Sequence, residues 1–331
     1  APSGAAVALQ SLPWAGKIPQ CCHGTAIRSG GGQASDRETK VHEETSIHPL
    51  LMSASLLRPA LPSDSQSISK LLLENEHHRH LDWRDPLGLL GLQPFLVLER
   101  GAQITAALAC PPDPPGIAWL RLFAAGGGES RIRSWNELWN TALGTLSGKI
   151  TAAAISLHNW MNDLLRSSGF QLTQELVMLE KRVIPTHPSP PTFTPGIRPM
   201  IVQDLPSVAE LDAAAFPLLW QITSADLQRA HQLAVFSTVF EEQGRMQGYQ
   251  VSTQTSIGLH LARLAVHPAL QGKGIGQALV QDLFGKANRQ GIKCCTVNTQ
   301  GDNAVSLSLY KKLGFSLTGE KYPVFTFTKP G

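Results

Sequence analysis

Leu264-Ala-Val-His-Pro-Ala-Leu-Gln-Gly-Lys-Gly-Ile-Gly276, running into the apolar-periodic segment Ala278 to Ala287, sets a strand, a glycine loop and a helix in succession. Val266 and Pro268 close the strand. Glycines 272, 274 and 276 let the backbone turn tightly and present bare N–H groups, and the helix that begins there adds the positive end of its dipole. A pyrophosphate is the natural occupant of such a cradle.

Two other phosphate loops are excluded by spacing. A Walker loop requires Gly-Lys-Ser/Thr, whereas Lys273 is followed by Gly274 and Ile275, so no hydroxyl is placed for magnesium. A dinucleotide fold requires an acidic residue about 20 residues beyond the glycines. The next strand, Lys293-Cys-Cys-Thr-Val-Asn298, supplies none.

Gln271-Gly-Lys-Gly-Ile-Gly276 after Val266-His-Pro268 resembles motif A of the GNAT acyltransferases, and Asn303-x6-Tyr310-Lys-Lys-Leu-Gly314-Phe315 resembles the motif that follows it. The resemblance extends over residues 197 to 328. It implies a mixed, mostly antiparallel sheet flanked by helices, with two central parallel strands ending here at Val266 and Asn298. These splay apart to admit the pantetheine arm of acetyl-CoA, the acyl-donor substrate. It implies cofactor contacts for the backbone of Leu264 and Val266, for Gln271, Gly272, Lys273, Gly274, Ile275, Gly276 and Gln277 around the pyrophosphate, and for Asn303. Tyr310 matches the position whose phenol protonates the departing thiolate. A phenol of pKa about 10 can donate at neutral pH to a thiolate whose acid has pKa about 8.5.

The general base is not given by the motifs. Some family members carry Glu where this chain has Asn298, and an amide takes no proton. His260, on the strand before the cradle, is the catalytic candidate; Glu241, Glu242 and a water chain are the alternatives. His77-His78-x-His80 has no second ligand cluster and is expected to face solvent, so no metal is expected.

The chain also repeats itself. Leu57-Arg-Pro-Ala-x-x-x-Asp64 returns as Ile197-Arg-Pro-Met-x-x-x-Asp204, and Leu164-Leu-x-x-x-Gly169-Phe170 returns as Leu309-Tyr-x-x-x-Gly314-Phe315. A period this long indicates duplicated domains rather than a solenoid. Between the copies, Ile184 to Pro195 contains five prolines, which block helix and central strand. The expected organisation is a poorly ordered tail over 1–54, a degenerate GNAT-like domain over 55–182, a linker over 183–196 and a catalytic domain over 197–331. Where the second copy has the cradle, the first has Phe123-Ala-Ala-Gly-Gly-Gly-Glu-Ser-Arg131; opposite Tyr310 it has Leu165, and opposite Asn303 it has His158. The first domain is therefore expected to be catalytically silent, walling the substrate cleft, and residues 190–331 alone are expected to bind acetyl-CoA.

Composition fits this fold class. A length of 331 residues exceeds the size at which single cores stop growing, about 250 residues. A net charge of +3, evenly spread, argues against a nucleic-acid partner. The longest apolar tract, Leu87 to Leu98, is broken by Gly88, Gly91, Gln93 and Pro94 and is too short to span a bilayer. Five cysteines, two adjacent pairs and a single, suit reduced thiols in the cytoplasm. The sequence thus points to an enzyme acetylating a primary amine of a small molecule or a protein. It leaves open a homodimer, a longer acyl donor and a non-catalytic acyl-CoA sensor.

Overall fold

The computed structural model describes residues 55–126, 128, 130–183 and 195–331; the tail and most of the linker lie outside the described residues. The first half comprises β1 (Ser55–Pro59), α1 (Ser65–Glu74), β2 (His77–Arg79), β3 (Phe95–Arg100), β4 (Gln103–Ala109), β5 (Ile117–Trp119) and β6 (Leu122–Ala125). It continues with α2 (Arg131–Thr145), β7 (Ile150–Ile155), α3 (Asn159–Ser167) and β8 (Gln171–Arg182). The second half follows with β9 (Ile197–Pro199), α4 (Leu205–Ala215), α5 (Ser224–Leu233), β10 (Phe236–Glu242), β11 (Arg245–Thr255) and β12 (Gly258–Val266). It ends with α6 (Ile275–Arg289), β13 (Cys294–Gln300), α7 (Ala304–Lys312) and β14 (Ser316–Lys329).

The duplication read from the repeated Arg and Asp is a repeated ion-pair cluster. Arg58 reaches Asp64 at 2.7 Å and Glu99 at 2.8 Å; Arg198 reaches Asp204 at 2.6 Å and Glu241 at 2.5 Å. Each cluster ties the first strand of its half to a bulged hairpin, with the register shifting at Leu98/Glu99 in one and at Phe240/Glu241 in the other.

The strands divide into a five-stranded sheet, β1-β3-β4-β6-β2, and a nine-stranded one, β5-β7-β14-β8-β13-β12-β11-β10-β9. The larger sheet joins the halves by exchange of their last strands. β8 pairs with β13 from Arg182–Cys294 to Leu176–Gln300, β14 pairs with β7 from Ile155–Val324 to Ile150–Lys329, and β8 and β14 pair with each other. Each half therefore completes its sheet with a strand of the other. The first half's equivalent of β12 is split: β5 pairs in parallel with β7, while β6 pairs with β4 in the smaller sheet.

Local sequence explains the elements that carry the site. β12 is buried at every position, as expected for a central strand covered on both faces. α6 buries Ile275, Leu279, Val280, Leu283 and Ala287, a stripe at helical spacing. It stops where Gly291 takes a left-handed φ of 68°, and the Ile292 N–H closes back on the Ala287 carbonyl.

β14 is one continuous strand in which Gly319 (φ 90°) accommodates a bulge between Leu317 and Lys321. β10 begins only at Phe236, because α5 continues to Leu233. One expectation is corrected. His78 and His80 do not face solvent: His78 is fully buried with Nε2 2.9 Å from the Leu120 carbonyl, and His80 stacks on Trp119. A three-residue strand sends alternate side chains inward, which a polar letter string conceals.

One apolar core runs through both halves. Trp119, Ile155 and Leu176 from the first pack with Trp220, Leu227, Tyr249 and Ala262 from the second. The Trp220 indole donates to Gln174 of β8 at 3.1 Å. A buried ion pair crosses the same boundary, Arg84 Nε and Nη2 meeting the Asp226 carboxylate at 2.5 and 2.9 Å. Arg84 also contacts Asp113.

Candidate active site

After β12 the chain makes one 3₁₀ turn, Pro268–Leu270, and Gln271 Nε2 donates to the Val266 carbonyl at 3.2 Å, fastening the loop to the strand end. Gly272 and Gly274 then take φ values of 78° and 87°. A Cβ at either would meet nothing within 4 Å, so glycine is required there by backbone conformation rather than by crowding. Gly274 is the N-cap of α6 and no side chain caps that end. The first-turn N–H groups are thus available to an anion.

These groups face a cavity of about 440 Å³. Its near wall is Val266, Gln271, Gly272 and the first turn of α6; its far wall is one face of α7. Val305 and Leu309 of α7 are apolar, while Ser308 and Lys312 add a hydroxyl and a cation. A Cβ at Gly276 would approach Leu309 at 3.5 Å and Val266 at 3.6 Å, so this glycine keeps the floor of the cavity low. Dipole, cation and apolar wall together suit an amphiphilic anion such as a nucleotide carrying a pantetheine arm.

Seven of the expected cofactor residues line this cavity: Val266, Gln271, Gly272, Gly274, Ile275, Gly276 and Gln277. Lys273 is exposed and not among its lining residues. Leu264 lies in the core beneath it. Asn303 is buried and caps α7, its Oδ1 accepting the Ser306 N–H at 3.0 Å and its Nδ2 facing Gln300 Oε1 at 3.3 Å. Ser308, Leu309 and Lys312 were not singled out from sequence, although the four-residue spacing of Ala304, Ser308 and Lys312 marks a single helical face.

β12 and β13 pair in parallel only at Leu259–Cys295 and His260–Thr296. Beyond that the edge of β12 turned towards β13 has no strand partner, which is the splay that the motif resemblance implied. A bulge accompanies it, since Leu261 opposes Ser252 and Arg263 opposes Val251. Arg263 is completely buried and anchors the bulge: Nε and Nη2 bond Asp212 at 2.7 and 2.8 Å, and Nη2 also donates to the Trp220 carbonyl at 2.8 Å. The Tyr249 hydroxyl donates to the same Asp212 carboxylate at 2.5 Å.

Tyr310 is buried on α7, its ring edge-on to Phe315 at 5.5 Å. Burial raises the pKa of its phenol well above the usual value, so the phenol stays protonated. His260 is buried as well, with Nδ1 2.6 Å from Thr296 Oγ1, and desolvation lowers its pKa to about 4. The ring is neutral at physiological pH but far less basic than an ordinary imidazole. Glu241 is held by Arg198, and Glu242 accepts from Gln247 at 3.1 Å, both in the β10–β11 hairpin and two strands removed from β13.

The first half differs at each of these places. Ser130 caps α2, its hydroxyl accepting the Arg133 N–H at 3.4 Å. The Arg131 guanidinium lies 4.2 Å over the Trp160 ring, and His158 stacks on the same indole at 5.7 Å. Glu76 braces the stack, 3.4 Å from Arg131 and 3.5 Å from His158.

Residues 205–315 match the acetyltransferase (GNAT) family. The [ribosomal protein bS18]-alanine N-acetyltransferase of Escherichia coli (strain K12) is 23% identical over 113 residues, 34% of this chain and 75% of that protein. Mycothiol acetyltransferase of Streptomyces avermitilis is 27% identical over 200 residues, 56% of this chain and 65% of that protein. A solved tandem GNAT protein from the clavulanic acid biosynthesis pathway matches 84% of this chain and 100% of its own, with a TM-score of 0.57 and 14% identity. A GCN5-related N-acetyltransferase from Sphaerobacter thermophilus matches 84% and 96%, with a TM-score of 0.52 and 15% identity. At such identities the two structures speak for the fold alone.

Proposed function

The chain belongs to the GNAT acetyltransferase family through residues 205–315, and on that premise we propose that it transfers the acetyl group of acetyl-CoA to a primary amine by direct attack in a ternary complex. The observation that carries this is the uncapped N-terminus of α6 opening on the cavity between the glycine loop and α7. The pyrophosphate lies on those N–H groups, Lys312 adds charge attraction, and the pantetheine arm enters between β12 and β13.

In the transfer the amine nitrogen bonds to the thioester carbon, the carbonyl oxygen becomes an oxyanion, and the carbon–sulfur bond then breaks. Backbone N–H groups of the bulged β12, around Leu264 and Val266, stabilise the oxyanion. The proton shed by the amine passes through water to the departing thiolate, and the Tyr310 phenol, kept protonated by burial, serves at most as a hydrogen-bond donor to the sulfur. With His260 held neutral and weakly basic, and with Glu241 and Glu242 engaged elsewhere, a side-chain base is not required: the amine enters as its free base. The first half serves as a scaffold without a second donor site.

Calorimetric titration of acetyl-CoA into the wild type, Ser308→Glu and Lys312→Glu tests the assignment. One site per chain, weakened at least tenfold by either carboxylate, is expected. Undiminished binding in both variants would remove the cofactor from this cavity.

A further inference from the structure

β8 brings a residue of the first half to the border of the splay. Met178 stands opposite Asn298 of β13, beyond the point where β12 and β13 part. It shares the face of Leu176, which packs in the core that holds Trp220 and Tyr249, while Val177 and Leu179 pack towards α6. Met178 is nearly buried, yet it joins none of the apolar cores among the described residues. Its side chain therefore borders the splay on the side away from α6.

On the other flank of Met178 the register breaks. Leu317 opposes Leu179 and Lys321 opposes Val177, so three residues of β14, Thr318, Gly319 and Glu320, stand against Met178 alone. Bulges of this kind re-aim side chains. Thr318 fixes this one, its hydroxyl donating to the Met178 carbonyl at 3.3 Å and accepting the Glu320 N–H at 3.2 Å. The half-buried Glu320 carboxylate accepts a hydrogen bond from the Tyr322 hydroxyl at 2.8 Å, and Tyr322 packs against the same core as Leu176. Burial and that carboxylate keep the phenol protonated, so it donates. Lys321, between the two, meets Glu175 at 3.2 Å instead, and no cation among the described residues pairs with Glu320.

Distance decides what this carboxylate can do. β13 and β14 flank β8, so two strand spacings of about 4.8 Å put Glu320 roughly 10 Å from the splay. That is too far for it to take a proton from the attacking nitrogen. An extended five-carbon diamine spans roughly 7.5 Å between its nitrogens, and a charge-assisted hydrogen bond adds about 2.8 Å. We propose that Glu320 selects the acceptor: an aliphatic amine whose far end carries a second, cationic nitrogen, its methylene chain lying over the soft apolar side chain of Met178. Thr318 and Tyr322 are positioning residues that hold the carboxylate. The near nitrogen attacks as its free base while the far one stays an ammonium against Glu320, so the acceptor binds singly protonated. The assignment rests on acetyl-CoA occupying the splay as proposed above.

The test measures coenzyme A release from acetyl-CoA with 1,5-diaminopentane and with pentylamine, in the wild-type chain and in Glu320→Gln, beside calorimetric titration of acetyl-CoA into both proteins. Glutamine keeps an oxygen for the Tyr322 hydroxyl and removes only the charge. The wild type should favour the diamine at least tenfold in kcat/KM. In Glu320→Gln that ratio should fall to about one, through a KM for the diamine raised at least tenfold, with acetyl-CoA still bound. Equal use of the two amines by the wild type, a preference that survives Glu320→Gln, or no turnover of either amine while acetyl-CoA binds would each overturn the assignment. A kcat that collapses on both amines in Glu320→Gln would also sink it, by making the carboxylate part of the chemistry itself. Failure of acetyl-CoA to bind the wild type would instead defeat the acetyltransferase proposal on which it rests.

Discussion

Trp160 holds in α3 the position that Val305 holds in α7, the second residue after the N-cap. Val305 faces the open cavity, whereas Trp160 lies beneath the Arg131 guanidinium. One side chain thus separates an open helix face from a covered one.

Val305→Trp should therefore close the second-half cavity. The residue is substantially exposed on a helix, so the fold should tolerate the change, and acetyl-CoA affinity should fall at least tenfold. The converse change, Trp160→Val, should leave calorimetric stoichiometry at one site per chain, because Ser130 still caps α2. A second site appearing in Trp160→Val would show that the indole alone silences the first half.

Arg84 and Asp226 make a buried ionic contact between the halves. Removing Arg84 leaves the Asp226 carboxylate with only the half-exposed Arg229, 3.0 Å away, so the cost approaches but does not exceed the roughly 3–5 kcal/mol of a stranded buried charge. Arg84→Met should lower stability by that order in urea unfolding. The double variant Arg84→Met/Asp226→Leu should lose less than the sum of the single changes, and strict additivity would mean that the pair is not coupled.

Acid should destabilise the fold through its histidines. His78 and His260 are both buried with pKa values lowered to about 4, against an ordinary value near 6.5. In that interval the unfolded chain binds protons that the folded chain refuses. Their contribution is therefore fully present above about pH 6.5 and is lost as pH falls towards 4, on the order of 3 kcal/mol for each residue. Melting temperature measured from pH 7 to pH 4.5 should fall less steeply in His260→Gln than in the wild type. Equal slopes would place the acid sensitivity in other groups.

The expectation that residues 190–331 bind acetyl-CoA alone is altered by the strand exchange. Without β7 and β8, β13 loses its partner on one side and β14 loses its partners on both, leaving three exposed edges. Residues 195–331 expressed alone should be insoluble or aggregated, and co-expression with residues 55–183 should restore soluble protein that binds acetyl-CoA. A soluble, binding-competent fragment on its own would show that the second half is self-sufficient.

Local chemistry was legible in the sequence. The cradle could be read because Gly272 and Gly274 are demanded by backbone angles, and the duplication because Arg58–Asp64 and Arg198–Asp204 are the same ion pair in both halves. What escaped was partnership over long range. The residues of β8 and β14 mark them as strands, but nothing in them says that each pairs across the duplication. Glycine at 319 reads equally as a turn or as a bulge.

The reciprocal lending of β8 and β14 has a consequence for mass action. Two separate subunits that exchange strands in this way would lose their fold on dilution, because association is second order. Joining them in one polypeptide makes the same event unimolecular, at an effective concentration in the millimolar range for a short tether. The half that carries the glycine cradle thereby keeps its borrowed strand however dilute the protein is.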